Sequence, residues 1–323
     1  MKKIAIIGTI HEDGCTFLKK QKFDIFEITN LTTKNLIEQL KDVDGIILRT
    51  AKLDEKILSK CNKLKIIARH GVGYDNVDLN FINKNKVALA ITGKSNAASV
   101  AEHVITMFLY LIKKINKSDE LLRKGRFEKR KFLPDTFELY KKNVLILGYG
   151  RIGQAVAKRL LGFETKVYVF DPFVDEKIIK KHNCHKVTFN KGISTADFIT
   201  IHMPLNDKTK NLISKNQFSK MKQNCIIVNT ARGGIINEND LKKAIENNRI
   251  SGAGLDVFAK EPPEKNHPLF DLDNIVLTPH NAALTLECRK RMSMECAENI
   301  YYYFKKFSKL NLTNIVNKQD LNL

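Results

Sequence analysis

The stretch "VLILGYGRIGQAVAKRL", residues 144–160, decides the fold class. Val144 to Leu147 form a short, wholly apolar run, the mark of a strand buried on both faces. Gly148, Gly150 and Gly153 follow at once in the spacing G-x-G-x-x-G, and from Gln154 the chain resumes with helical spacing. In this order the glycines allow a tight turn and a close approach of backbone to a pyrophosphate. The charge of that pyrophosphate would sit at the N-terminus of the following helix.

The next apolar run, "KVYVFD" (166–171), ends on Asp171, 18 residues past Gly153, and Pro172 stops it there. A carboxylate at that place accepts the ribose hydroxyls of NAD and repels the 2′-phosphate of NADP. Four more runs of the same kind follow at 198–204, 225–234, 251–258 and 274–280. Before residue 93 there are five others, at 3–8, 23–28, 45–50, 65–71 and 87–92, separated by polar helical patterns such as "TTKNLIEQLKD" (32–42). Alternation of this sort predicts an α/β protein with two parallel-sheet domains, Rossmann-like or flavodoxin-like.

Between the two series lies "SVAEHVITMFLYLIKKINKSDELLRKG" (99–125), one long helix or two joined ones, with Ser99 and Glu102 as a capping box. Val100, Val104, Phe108, Leu111 and Ile115 make a stripe that Ile105, Leu109 and Ile112 widen, so the helix is expected to be buried on more than one side. All seven prolines lie beyond residue 133, a second sign of a new unit. A closing helical pattern runs from about Thr285 to Phe307. The expected domains are 1–98 plus 286–323, and 99–285 inserted between them.

The 323 residues suffice for two cores. The N-terminal apolar run is too short for a signal peptide, and the most apolar helical stretch, "VITMFLYLI", is far below a membrane span. Six scattered cysteines without a CxxC pair suggest neither a disulfide framework nor a metal site, and point to a cytoplasmic protein. The net charge of +20 is spread along the whole chain rather than gathered into an arm, so nucleic acid is not the expected partner.

Three residues at strand ends of the second series carry chemistry: Arg232 in "IIVNTARGGIIN", Glu261 in "LDVFAKEPP" and His280 in "IVLTPHNAA". Singly, each has an ordinary explanation as a surface ion pair, a solvated carboxylate or a packed loop residue. Together, beside a nicotinamide, they are the parts that reduction of a 2-oxo acid needs. An arginine holds the carboxylate, a histidine protonates the new alkoxide, and a glutamate keeps that histidine charged and oriented.

The chain resembles the D-isomer-specific 2-hydroxyacid dehydrogenases over nearly its full length. The carrying motifs are "GYGRIG" (148–153) with Asp171, "HMPL" (202–205), "NTARGG" (229–234), "GLDVFAKEPP" (254–263) and "TPHNAA" (278–283). The resemblance implies Arg232, Glu261 and His280 as the catalytic set. It implies NAD contacts from Gly148, Gly150, Arg151, Ile152, Gly153, Asp171, Met203, Pro204, Thr230, Ala231, Asp256 and Ala283. It further implies a discontinuous substrate domain closing over a central NAD domain, and a homodimer built on the helix beginning at Ser99.

For the substrate, a small anionic 2-hydroxy or 2-oxo acid, the loop "ARHGVGYDNVDL" (68–79) resembles the family's carboxylate-binding loop, with Gly71, Val72 and Gly73 offering backbone N–H groups. Within the family the likeness is closest to the phosphoglycerate dehydrogenases. It implies Arg49, Arg69, Asn96 and Lys129 as substrate residues, and two arginines with a basic segment suit a phosphate. His70 and Tyr74 depart from the small or aliphatic residues usual there, which keeps glyoxylate/hydroxypyruvate reductases as the alternative. Formate dehydrogenase is the less expected activity, because the longer N-terminal region of those enzymes has no room here. With 43 residues after His280, feedback through an appended C-terminal domain is not expected. An alternative of another class is an NAD-responsive binding protein, like the family's transcriptional corepressors.

Overall fold

The computed structural model describes residues 1–323, with twelve strands in two sheets in which every pairing is parallel. The chain divides into two compact units, Met1–Asn96 with Ala283–Leu323, and Ala97–Ala282.

In the first unit, β1 (Lys3–Ile7), β2 (Asp24–Ile28), β3 (Gly45–Leu48), β4 (Ile66–Arg69) and β5 (Ala88–Ile91) lie in the order β2-β1-β3-β4-β5. The inner strand β3 is buried throughout, as its unbroken apolar run requires, while the edge strand β2 exposes Asp24 and Glu27. The far end of the chain returns to the opposite edge. Val316 donates its N–H to Leu89 O at 2.8 Å, and Leu89 donates to Asn317 Oδ1 at 2.9 Å. The closing helix spans Leu286–Lys305, capped by Thr285, whose Oγ1 accepts the Cys288 N–H. It packs on the helix Glu12–Lys20, where only a glycine fits at position 14: a Cβ there would stand 2.5 Å from Ser293 O.

In the second unit, β6 (Asn143–Leu147), β7 (Lys166–Phe170), β8 (His185–Lys186), β9 (Phe198–Ile201), β10 (Ile226–Asn229), β11 (Gly252–Leu255) and β12 (Ile275–Leu277) take the order β12-β11-β10-β9-β6-β7-β8. Strand β8 is two exposed polar residues at the edge, too short to leave an apolar pattern in the sequence. From β6 the chain winds outward through β7 and β8, then crosses back to β9 and winds the other way. The strand order therefore reverses between β6 and β9, and ligands of open α/β sheets bind outside the carboxyl ends at such a point.

The helical stretch between the series is two helices, Ala97–Lys113 and Ile115–Arg123, broken at Lys114 in the left-handed conformation (φ 50°). Two expectations need correction. The first helix begins at Ala97, which places Ser99 inside its first turn rather than at its cap, and Glu102 instead bonds Arg159 at 2.8 Å. The break also takes Ile115 off the apolar stripe, leaving it 55% exposed, while Val100, Val104, Phe108 and Leu111 are buried. The first helix buries its small-residue contact on the sheet at Gly254, where a Cβ would meet Met107 Sδ at 2.9 Å. The second helix buries no residue.

Candidate active site

The glycine corner after β6 is sterically determined. Gly148 has φ +95°, and a Cβ on it would lie 2.7 Å from His202 O; a Cβ on Gly153 would lie 2.2 Å from Gly148 O. At Gly150 a Cβ would project into open space. Gly150 is also the N-cap of the helix Arg151–Gly162 and supplies no side-chain cap, so the first-turn N–H groups face an uncapped end. Open room against bare backbone at a helix N-terminus is the cradle a pyrophosphate needs. Arg151 is exposed and Ile152 half-buried on the first turn.

Asp171 is held rather than free to rotate. Its Oδ2 accepts the Tyr149 N–H at 2.7 Å and its Oδ1 accepts the Phe173 N–H at 2.9 Å. Each oxygen keeps a lone pair, enough for the two hydroxyls of a ribose. Tyr149, buried beneath the loop, pins it from inside through its hydroxyl, 3.1 Å from His182 Nδ1. Past β9, Met203 is half-buried and Pro204 exposed. Thr230 Oγ1 and His202 Nδ1 are buried without a protein partner, as atoms lining a ligand site would be. Ala231 is half-buried, and Ala283 is the first residue of the chain's return to the first unit.

Past the ends of β11 and β12, Glu261 and His280 form a pair. His280 Nδ1 lies 2.7 Å from Glu261 Oε2, while Glu261 Oε1 accepts the Phe258 N–H at 3.1 Å. The bond to Glu261 raises the His280 pKa against the opposing effect of burial, with Glu261 and Asp256 adding to the rise and Arg232 reducing it. For Glu261, burial pushes the carboxyl up. The bonds from His280 and the Phe258 N–H, with the His280 and Arg232 charges, outweigh it and bring the pKa below the usual value. With Nδ1 turned to the carboxylate, Nε2 is the nitrogen left to exchange a proton with a ligand.

Arg232 sits in a turn that Asn229 shapes. The Asn229 side chain accepts the Ala231 N–H at 3.0 Å and donates to Arg232 O at 2.8 Å. Asp256, expected at the nicotinamide, is 1% exposed and committed to the loop that bears His280: it accepts from Thr278 Oγ1 (2.6 Å), Asn281 N (2.9 Å) and Ala282 N (3.0 Å). His103 joins this network through Thr278 Oγ1 at 3.0 Å.

The expected substrate residues divide between the units. Arg49 and Arg69 stand at the ends of the paired strands β3 and β4, both half-buried. Arg49 Nη1 reaches Thr9 O at 3.3 Å, and Arg69 Nη1 donates to His70 O. The loop Gly71–Gly73 follows, half-buried, with Gly71 at φ +142°. Asn96 is buried, and its Oδ1 has no protein partner. His70, buried next to Arg69 in the chain, is kept neutral. Burial and the Arg69 and Arg49 charges bring its pKa down to about 4. Lys129 belongs to the other unit, exposed in the short 3-10 segment Phe127–Phe132.

Sequence reading passed over Asn229, His103 and the pair Glu238–His267. Only Asn229 had a signal, an Asx residue two before the N–H it binds; the other contacts are made across 20 residues or more.

Residues 105–282 match the family described as D-isomer specific 2-hydroxyacid dehydrogenase, NAD binding domain. The D-3-phosphoglycerate dehydrogenase of Archaeoglobus fulgidus is 35% identical over 314 residues, which is 97% of this chain and 59% of that protein. The chain spans about three fifths of the length of such curated relatives. The NAD-dependent formate dehydrogenase of Staphylococcus aureus, solved with NAD, superposes with a TM-score of 0.83 at 29% identity, covering 98% of this chain and 99% of that one. The expected lack of room for a formate dehydrogenase therefore does not hold. The NADPH-dependent glyoxylate/hydroxypyruvate reductase of Sinorhizobium meliloti superposes with a TM-score of 0.85 at 25% identity over 95% of this chain and 96% of that one. The fold and the strand-end residues define a nicotinamide-dinucleotide-binding protein of doubly wound α/β type. The chain belongs to the D-isomer specific 2-hydroxyacid dehydrogenase family.

Proposed function

We propose that the protein interconverts a D-2-hydroxy acid and its 2-oxo acid with NAD, and that its substrate pair is 3-phosphoglycerate and phosphohydroxypyruvate. The observation that carries the reaction class is the 2.7 Å Glu261–His280 bond on the sheet that also presents Arg232. When bound, the nicotinamide supplies or accepts the hydride. Arg232 holds the carboxylate of the 2-oxo acid, and His280 Nε2 delivers a proton to the forming alkoxide. Glu261 keeps that proton on the ring and fixes the tautomer. In the oxidative direction His280 begins neutral and takes the hydroxyl proton. Gly148, Gly150, Gly153 and the helix at Arg151 hold the pyrophosphate, and Asp171 the ribose.

The substrate class rests on the first unit. Arg49 and Arg69 at neighbouring strand ends, with His70 kept neutral, favour a ligand with a second anionic group. The 35% identity to a D-3-phosphoglycerate dehydrogenase supports the same choice. For the homodimer expected on the stretch beginning at Ser99, the surface we assign is its exposed second helix, with Leu122 60% and the neighbouring Phe132 75% exposed, rather than the first helix, which is buried on its own sheet.

NADH oxidation with a panel of 2-oxo acids tests the reading. Preference for phosphohydroxypyruvate is expected. Preference for glyoxylate or hydroxypyruvate would keep the catalytic set and remove the phosphate role from the arginines. No turnover with any of them would sink the proposal.

A further inference from the structure

A second glutamate–histidine pair lies beside the first, and nothing in the reaction uses it. Glu238 Oε2 is 3.2 Å from His267 Nε2, and Glu238 Oε1 accepts the Ala259 N–H at 2.7 Å. Both side chains are largely buried, 17% and 14% exposed. Two successive N–H groups thus go to two glutamates: Phe258 to Glu261, Ala259 to Glu238. The peptide between them is also the floor under the Arg232 turn. A Cβ on Gly233 would stand 1.8 Å from Phe258 O, so the turn packs backbone to backbone against it. The His267 ring meets the Phe258 ring edge-on at 5.5 Å.

We propose that Glu238 and His267 are positioning residues for the acid–base pair: they fix the Phe258–Ala259 peptide, and through it set the alignment of Glu261 to His280. The inference rests on the proposed role of His280 for its kinetic consequence but not for its first readout. The bond at stake is local. A Glu261 set loose by even an ångström loses its short contact with His280, and hydrogen bonds weaken steeply with misalignment. The ionisable groups around His280 are Glu261, Asp256 and Arg232, and none of them is removed by changing Glu238.

The test is the His280 pKa, measured by NMR on histidine-labelled protein in the wild type, Glu238→Ala, Glu238→Gln and His267→Phe. Glu238→Ala should lower it toward that of an ordinary histidine. Glu238→Gln, which still accepts from Ala259 and can donate to neutral His267, should restore most of the wild-type value. His267→Phe keeps the aromatic contact and should give a smaller fall in the same direction, and it decides the matter if Glu238→Ala does not fold. An unchanged His280 pKa in Glu238→Ala, or in His267→Phe where that variant decides, would overturn the inference. Turnover is measured in parallel. A shifted pKa with no 2-oxo acid turnover in the wild type would uphold the positioning role and reject the proposed function. A drop in kcat of about tenfold or more in Glu238→Ala, with the KM for NADH unchanged, is the outcome if both hold.

Discussion

At the carboxyl ends of the seven-stranded sheet, charged side chains answer one another. Glu261 faces His280, and Asp256 collects a hydroxyl and two N–H groups of the loop around it. At the carboxyl ends of the five-stranded sheet, Arg49 donates to Thr9 O and Arg69 Nη1 to His70 O, as Arg232 Nη1 donates to Ala231 O on the other sheet. Under the proposed function, the difference follows from what each group would have to do. A general acid must keep its proton before any ligand arrives, and only a standing anionic partner does that. A recognition cation must be able to change partners, and a neutral carbonyl yields to a carboxylate or phosphate oxygen, whose bonds are about twice as strong. The first arrangement presets chemistry; the second leaves selection to the ligand.

Removing the proton donor is the harshest way to break the comparison. His280→Ala should lower kcat by about 10²–10⁴-fold, the range for loss of a positioned acid–base group, while NADH binding measured by fluorescence stays near wild type. Equal loss of binding and turnover would make His280 a structural residue. Next comes the clamp. Arg232→Lys replaces a planar fork by a point charge, and losing one charge-assisted bond of about 1.5–3 kcal/mol should reduce kcat/KM by roughly tenfold to a hundredfold. An unchanged kcat/KM would show that Arg232 does not hold the substrate.

The first unit makes a smaller and more selective prediction. Arg49→Ala and Arg69→Ala should each reduce kcat/KM for phosphohydroxypyruvate by about tenfold, the value of one charge-assisted bond, and change that for glyoxylate less. If both substrates fall together, the arginines act on the shared carboxylate, and the contrast between the sheets is one of charge alone. Asp171→Ala should bring the NAD and NADP rates together by a similar factor. A wild-type preference for NADP would contradict the role given to Asp171, whose oxygens are already engaged by Tyr149 and Phe173.

What could be read beforehand follows the range of the interactions. The glycine corner is local: three glycines, a strand and a helix within 17 residues dictate their own geometry, and a Cβ at Gly148 or Gly153 would meet backbone while one at Gly150 would meet open space. Parallel strands buried on both faces announce themselves as apolar runs; the exposed two-residue β8 does not. The sequence allows one helix or two over 99–125 but does not place the break at Lys114, because a lysine in the left-handed conformation carries no glycine or asparagine signal; a stripe drawn without that break takes in Ile115, which is exposed. The Arg232, Glu261 and His280 strand ends were visible one by one; that a single peptide, Phe258–Ala259, supports both Arg232 and Glu261 was not. Glu238 and Ala259 stand 21 positions apart, and no local pattern relates a helix's first residue to the N–H of a distant loop.

The mildest test separates charge from geometry at the preset site. Glu261→Gln keeps an amide oxygen that can accept from His280 Nδ1, so the ring stays in place and the plateau rate falls little, but the negative charge is gone. His280 then loses the main cause of its raised pKa. The sign is fixed by the direction of reaction. Reduction of a 2-oxo acid needs protonated His280, so its rate is present below the His280 pKa and is lost as pH rises through it. In the wild type that loss should begin above the ordinary histidine value, and in Glu261→Gln it should move to lower pH. Oxidation of the hydroxy acid needs neutral His280, so its acid limb should move down by the same amount. Matching displacement of both limbs in pH profiles of kcat/KM would show that the carboxylate acts by charge. Unmoved limbs with a reduced plateau would mean that Glu261 serves only to aim the ring, and the pairing that distinguishes the two sheets would be one of shape.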